Sequence, residues 1–222
     1  MIADVDVSPV AALLGDPARA RMAQALHDGR ALPAGELARR AGVSASTASQ
    51  HLARLVDGGL LAVERTGRHR YFRLANVEVA HAIEALAAIA PPAPVRSLRD
   101  AAIGDALAEA RTCYDHLAGK LGVQVADALL DHGALVALAD GFGPGEKIET
   151  ALATLGIRSL PERRPFALRC IDWSERRPHV AGALGAAICS RAFEAGWIER
   201  LPASRAVRVT AAGQLAFASL SA

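Results

Sequence analysis

The chain has 222 residues, 52% of them hydrophobic and 22% charged, with a formal net charge of +2. This is enough apolar material for one large or two small folded domains and excludes wholesale disorder; with aromatic residues at only 4%, the expected core is built of Ala, Leu and Val, mainly in helices. No apolar run approaches the roughly 20 residues of a membrane helix, the first residues lack the order of a secretory signal, and three scattered cysteines exclude a disulfide framework, so the expectation is a reduced, cytoplasmic protein with no membrane partner.

In chain order, the pattern from Pro9 to Leu26 predicts a helix interrupted near Gly15 and restarted with Asp16 as N-cap and Pro17 at its first position. A short helix follows from about Pro33 to Ala41, with Leu37, Ala38 and Ala41 on one face and Gly42 as its stop. Ser44 can cap the next helix, whose apolar stripe is Ala48, Leu52, Leu55 and Val56. Opposite that stripe lie Ser46, Gln50, Ala53 and Arg54, with Thr47, Ser49 and His51 flanking. Short hydroxyls and an amide, with no acids, suit a helix whose N-terminal turn enters a DNA major groove, where carboxylates would meet phosphate. Gly58-Gly59 ends the helix, and "LLAVER" and "HRYFRL" around Thr66-Gly67-Arg68 read as a hairpin with Arg65, Arg68, His69 and Arg70 at its tip. Residues 39–73 carry seven arginines against Asp57 and Glu64, the local concentration expected of a phosphate-binding surface on an otherwise balanced chain.

Helix, turn, helix and basic hairpin form a winged helix-turn-helix. The stretches "LLGDPARARMAQAL" and "ELARRAGVSASTASQHLARLVDGGLLAVERTGRHRYFRL" resemble the ArsR family of winged-helix transcriptional repressors over about residues 8–90. The resemblance implies a homodimer built on the first helix and on "NVEVAHAIEALAAIA" after the wing, an inverted-repeat operator in double-stranded DNA, and release on sensing a metal ion or another effector. The positions where the family holds its metals are vacant: Pro33 and Gly35 stand where a Cys-x-Cys is expected, and Asn76 and Glu78 precede an alanine-rich run where Asp and His ligands are expected.

"PPAPVR" at 91–96 reads as a stiff linker between a DNA-binding and dimerisation domain, 1–90, and an effector-binding domain, 97–222. Within the latter, the segments 116–133 and 179–196 align without gaps at an offset of 63, identical at six of eighteen positions, among them His116/His179, Gly119/Gly182, Gly122/Gly185 and Gly133/Gly196. The second copy continues into a strand, a turn, a strand and a helix capped by Thr210. Ala183, Ala186 and Ala187 stand where the first domain has Ser46, Ser49 and Gln50. The expected fold is therefore mainly α with small β-wings: a winged helix-turn-helix followed by a pair of degenerate winged-helix-like units whose helices pack rather than read bases.

The chemistry of this half is sparse. Cys113 and His116, three apart, are expected on one side of a single helix, with Cys170, Asp172 and His179 near the equivalent place in the second copy. Cys113, His116, Cys170 and His179 would suit a soft metal or metalloid ion; a thiol switch, a purely structural role, or an organic effector touching Tyr114, Asp115, His116 and Trp173 are the alternatives. "GFGPGEK" at 141–147 fails as a phosphate loop because Glu146 intervenes before Lys147 and no hydroxyl follows. The function expected is a sequence-specific DNA-binding regulator, a repressor released by an effector and not an enzyme. A thiol- or metal-dependent enzyme fused to a DNA-binding domain, or an effector-independent architectural protein, are the other readings.

Overall fold

A computed structural model describes residues 5–91, 94–95, 97–202 and 204–221; Pro92, Ala93 and Arg96 of the expected linker lie outside the described residues. The chain divides into two compact units, Met1–Ile83 and Glu84–Ala222.

The first unit runs α1 (Ser8–Leu14), α2 (Pro17–Ala25), β1 (Leu32–Pro33), α3 (Ala34–Ala41), α4 (Ala45–Asp57), β2 (Leu61–Thr66) and β3 (His69–Leu74), and α5 (Val77–Ile89) crosses the division. The break between α1 and α2 is a capping event. Asp16 accepts hydrogen bonds from the Ala18 and Arg19 amides, both at 2.9 Å, and Pro17 follows in the first turn. Arg19, although buried, is satisfied by the last carbonyls of α1, donating to Leu13 O at 2.6 Å and Ala12 O at 2.8 Å, where a cation also suits the helix dipole. Gly42, at φ 72°, stops α3 in the left-handed conformation that favours glycine. Met22, Leu26, Leu37, Leu52, Leu55 and Leu74 are wholly buried between the helices and the antiparallel β1-β3-β2 sheet, each such side chain contributing roughly 1.5–3 kcal/mol.

The second unit runs α6 (Leu98–Glu109), β4 (Arg111–Cys113), β5 (His116–Ala118), α7 (Gly119–Asp131), β6 (Leu135–Ala137), β7 (Phe142–Pro144), α8 (Ile148–Leu155), β8 (Leu168–Ile171), β9 (Pro178–Ala181), α9 (Gly182–Glu194), β10 (Ile198–Arg200), β11 (Val207–Val209) and α10 (Ala211–Ala218). After α6 it is one motif used twice: hairpin, helix, hairpin, helix. The second hairpin and last helix of each copy form the wing and closing helix of a winged-helix-like unit, and a β-hairpin precedes the central helix.

The copies are interlocked. α7 packs on β9 of the other copy and α9 packs on β5, so Leu117, Leu121, Val125 and Leu129 share one core with Val180, Leu184 and Ile188. The repeated glycines let each central helix close on the strand before it, with the other copy's histidine against the same spot. A Cβ on Gly122 would stand 2.5 Å from Leu117 O and 3.4 Å from His179 Cβ; on Gly185 it would stand 2.2 Å from Val180 O and 3.1 Å from His116 Cβ.

One expectation is corrected. Cys113 and His116 do not share a helix; they are cross-strand partners in the β4–β5 hairpin, joined by a turn in which Tyr114 takes φ 59°. Residues 110–113 and 116–119 are buried on every side, and for such a segment residue spacing cannot distinguish a strand from a buried helix.

Gly185→Ala is expected to cost about 1–3 kcal/mol through overpacking, read from urea unfolding. Gly35→Ala, whose Cβ would meet nothing within 4 Å, should leave stability unchanged or raise it. A Gly185→Ala protein as stable as its parent would be incompatible with the close approach of α9 to Val180 and His116.

Candidate DNA-reading face and a buried cysteine–histidine cluster

Ser44 caps α4, accepting from the Thr47 amide at 3.2 Å, and its hydroxyl contacts those of Ser46 at 3.0 Å and Thr47 at 2.9 Å. Ala48, Leu52 and Leu55 fix the inner face of α4 in the core, which leaves Ser46, Ser49, Gln50 and Arg54 exposed on the outer one and Thr47 half-buried. His51 turns back onto the protein: its side chain is 14% exposed, with Nε2 4.0 Å from Asp16 Oδ1. The wing pairs Arg65 with Arg70 and Thr66 with His69, so Arg65, Arg68, His69 and Arg70 all stand exposed at its tip. Arg40 is engaged by Glu36 and Arg73 by Glu64, both at 2.5 Å. Arg54, Arg65 and Arg68 form no salt bridge among the described residues, so their charge remains available to phosphates.

The second unit gathers its polar chemistry inside. Cross-strand pairing sets Cys113 opposite His116 and Cys170 opposite His179, and the crossed packing brings these two pairs face to face. The Cys113 and Cys170 sulfurs are 3.9 Å apart, the His116 and His179 ring centroids 5.1 Å apart, and all four residues are buried. One ligand atom from each lies within 4.8 Å of every other.

Behind each imidazole stands a carboxylate. Asp115 Oδ1 is 3.3 Å from His116 Nδ1, and its other oxygen accepts from Arg164 at 2.5 Å. Asp172 Oδ2 is 3.4 Å from His179 Nδ1, accepts from Arg111 Nη2 at 2.8 Å and from the Gly119 amide, the first of α7, at 2.6 Å. Asp172 Oδ1 accepts from the Ser174 hydroxyl and amide and from the Glu175 amide, at 2.6, 2.9 and 3.0 Å. Arg111, also wholly buried, reaches Leu107 O, Ser174 Oγ and Glu84 as well, and its guanidinium lies 4.5 Å over the Trp173 ring.

These surroundings shift the ionisable groups. Burial pushes the Cys113 thiol up to about 12. Burial would raise the Asp172 carboxyl, but the hydrogen bond from His179, the Arg111 charge and the Ser174 hydroxyl hold it well below the usual carboxylate range. His116 and His179 are pushed down by burial, yet end above the ordinary imidazole range, through Cys113 and Asp115 for the first and Asp172 and Cys113 for the second.

The structure thus brings together Cys113, His116, Cys170 and His179, with Asp115 and Asp172 in support; Tyr114 and Trp173 stay half-buried at the edge. Sequence reasoning missed Arg111, Arg164 and Ser174, which have no spacing that marks them.

Four likenesses to known families and proteins bear on this chain. Residues 14–64 match the family model described as a helix-turn-helix domain. Over 215 residues the chain is 45% identical to YdfF of Bacillus subtilis (strain 168), described as an uncharacterized HTH-type transcriptional regulator, with 96% of this chain and 95% of the relative covered. Among solved structures it is similar to the transcriptional repressor BigR of Xylella fastidiosa (26% identity, TM-score 0.36, 39% of this chain and 88% of that one) and to the cadmium metal-sensor CMTR of Mycobacterium tuberculosis (31%, 0.33, 41% and 99%).

Asp172→Ala would take from the buried Arg111 its closer carboxylate, leaving Glu84 at 3.3 Å as its remaining counter-charge, and remove an acceptor from the start of α7. The expected loss is about 3–5 kcal/mol in chemical denaturation. Asp127→Ala, which breaks the solvent-facing pair with Arg177, should cost at most about 1 kcal/mol. Equal losses from the two would refute the role given to Asp172.

Proposed function

The chain belongs to the HTH-type transcriptional regulators, and from this premise we propose that it is an ArsR-type cytoplasmic repressor and not an enzyme, which holds an inverted-repeat operator as a homodimer and releases it when the C-terminal unit takes up an effector. The observation that carries the DNA contact is the outer face of α4, where Ser46, Ser49, Gln50 and Arg54 are exposed with no acid among them, beside a wing tipped by Arg65, Arg68 and Arg70. Donors and acceptors of this length reach base edges from a helix in the major groove, while the wing arginines neutralise phosphates without reading sequence.

The dimer is supported by apolar side chains left in solvent on α1 and α5, Val10, Leu86 and Ile89, which a second copy would cover. A two-fold pair of reading helices then calls for two half-sites about one DNA turn apart, near 34 Å. The C-terminal unit is read as the sensor because its polar groups face inward and its central helices are packed. Ala183, the counterpart of Ser46, is buried. To move the protein from mostly bound to mostly free, an effector must favour the released form by several kcal/mol, of the order of 5 for a complete switch.

In a binding assay on the chain's own upstream DNA, Gln50→Ala should lose about 1–3 kcal/mol and relax preference at one base pair. Arg68→Ala and Arg70→Ala should weaken binding on all sequences, each lowering the salt slope by about one. Undiminished affinity and preference in Gln50→Ala would show that α4 is not the reading helix. In footprinting, two half-sites should be protected together; a protein that sediments as a monomer and protects one half-site would refute the dimer.

A further inference from the structure

We propose that Cys113, His116, Cys170 and His179 form a closed, four-coordinate binding site for one soft divalent cation of the zinc or cadmium class. The ligands are the two sulfurs and the Nε2 nitrogens of the two imidazoles. The site stands on its own geometry; that its occupancy governs DNA binding rests on the regulatory reading above.

The spacing fits such an ion. With metal–sulfur bonds of about 2.3 Å, a tetrahedral centre separates its two sulfurs by roughly 3.8 Å, and Cys113 and Cys170 are 3.9 Å apart. The two sulfurs and one nitrogen of each imidazole lie within 4.8 Å of one another, which leaves room for one ion between them. The chemical set is equally selective: two thiols and two imidazoles in a dry interior suit zinc or cadmium and reject magnesium and calcium, which require oxygen.

The surroundings also fit. Each imidazole has a carboxylate on its Nδ1 side, Asp115 for His116 and Asp172 for His179, an arrangement that fixes the ring and leaves Nε2 as the ligating atom. This support is built twice, from an adjacent residue in one copy and from a loop residue seven positions upstream in the other. His179 Nε2 is buried and makes no hydrogen bond of normal geometry among the described residues, although leaving a polar atom in that state costs free energy. An ion would use it. The charges balance as well: as the cation enters, the two thiols and any imidazole carrying a second proton release those protons to solvent, and a doubly charged ion between two thiolates and two neutral imidazoles carries no net charge into the core. No ligand position is left open for a reacting molecule, which suits holding or sensing an ion rather than catalysis.

The test uses the full-length protein, stripped with a chelator under reducing conditions and titrated with cobalt(II), then with zinc(II) and cadmium(II) in competition. The expected result is about one equivalent bound per chain, with the visible absorption of tetrahedral cobalt and its thiolate charge-transfer band. Cys113→Ser should abolish the charge-transfer signature or weaken binding at least a hundredfold. Cys189→Ser, which alters a buried cysteine outside the cluster, should bind as the parent does. Asp115→Asn should lower affinity about 10–100-fold and, because Asp115 is partly exposed, serves even if Cys113→Ser does not fold. Absence of uptake by the reduced parent, or uptake indifferent to both Cys113→Ser and Asp115→Asn, would overturn the site; so would a Cys113–Cys170 disulfide as the only change mass analysis detects on exposure to oxidant and metal. Operator binding with and without one equivalent of zinc or cadmium separates the two readings. Uptake that leaves DNA affinity unmoved keeps the site and removes the sensing role, whereas DNA binding without uptake removes the site and keeps the regulator.

Discussion

The carboxylate of Asp172 is out of reach of solvent, and much of the second unit is arranged to make its charge tolerable. It neutralises Arg111, which is equally buried, receives the first amide of α7, is held by Ser174 and Glu175 within its own loop, and stands beside the His179 ring. A buried ion pair is a poor source of stability for its own sake, because desolvation of both charges offsets most of their attraction. What the arrangement supplies is position. The loop after β8, strand β4, the start of α7 and strand β9 are tied to one atom pair, so the two copies of the motif are locked in a single register. The cysteine–histidine cluster lies directly against that lock.

The crossed packing follows from small residues at repeated places. Gly122 and Gly185 let α7 and α9 close tightly on the strands that precede them, with the histidine of the other copy against the same spot, and this arrangement places the two histidines beside each other. A bulkier residue there would push the helices out and separate the imidazoles. The glycine matches and the histidine match in the repeat are therefore one geometric requirement expressed at several positions.

Much of the first unit was legible in the sequence because its signals are local. Asp16 and Ser44 as caps, Gly42 as a stop, Gly67 in the wing turn and the stripe through Leu52 each act within a few residues, and each occupies the expected place. The second unit was legible only in outline. The match of His116 to His179 survives a gap-free alignment at 63, but Cys113 and Cys170 are 57 apart. The reason is the loop between strands: two residues separate Cys113 from His116, and eight separate Cys170 from His179. The longer loop is the one that carries Asp172, Trp173 and Ser174, so the insertion that hides the cysteine match also supplies the supporting carboxylate. Arg111 could not be found at all, since a buried arginine is defined by partners such as Asp172 and Glu84 that sequence spacing does not join.

The same helix-and-wing motif occurs in both units, and what differs is the outer face of its central helix. In α4 that face is polar and exposed, held out by the inward packing of Ala48, Leu52 and Leu55. In α9 the corresponding positions are Ala183, Ala186 and Ala187, and Ala183 is buried. Alanine contributes almost no side-chain entropy loss and little bulk, so a helix bearing it can be enclosed on more than one side. Enclosure has a chemical consequence. A helix face given to solvent can meet DNA, and a helix closed in by hairpins on its flank can instead surround thiols and imidazoles with a dry, low-dielectric wall, where ligand atoms bind an ion without competition from water. Alanine on α9 thus accords with a helix enclosed by its neighbours, and short polar side chains on α4 with a helix face held out in solvent.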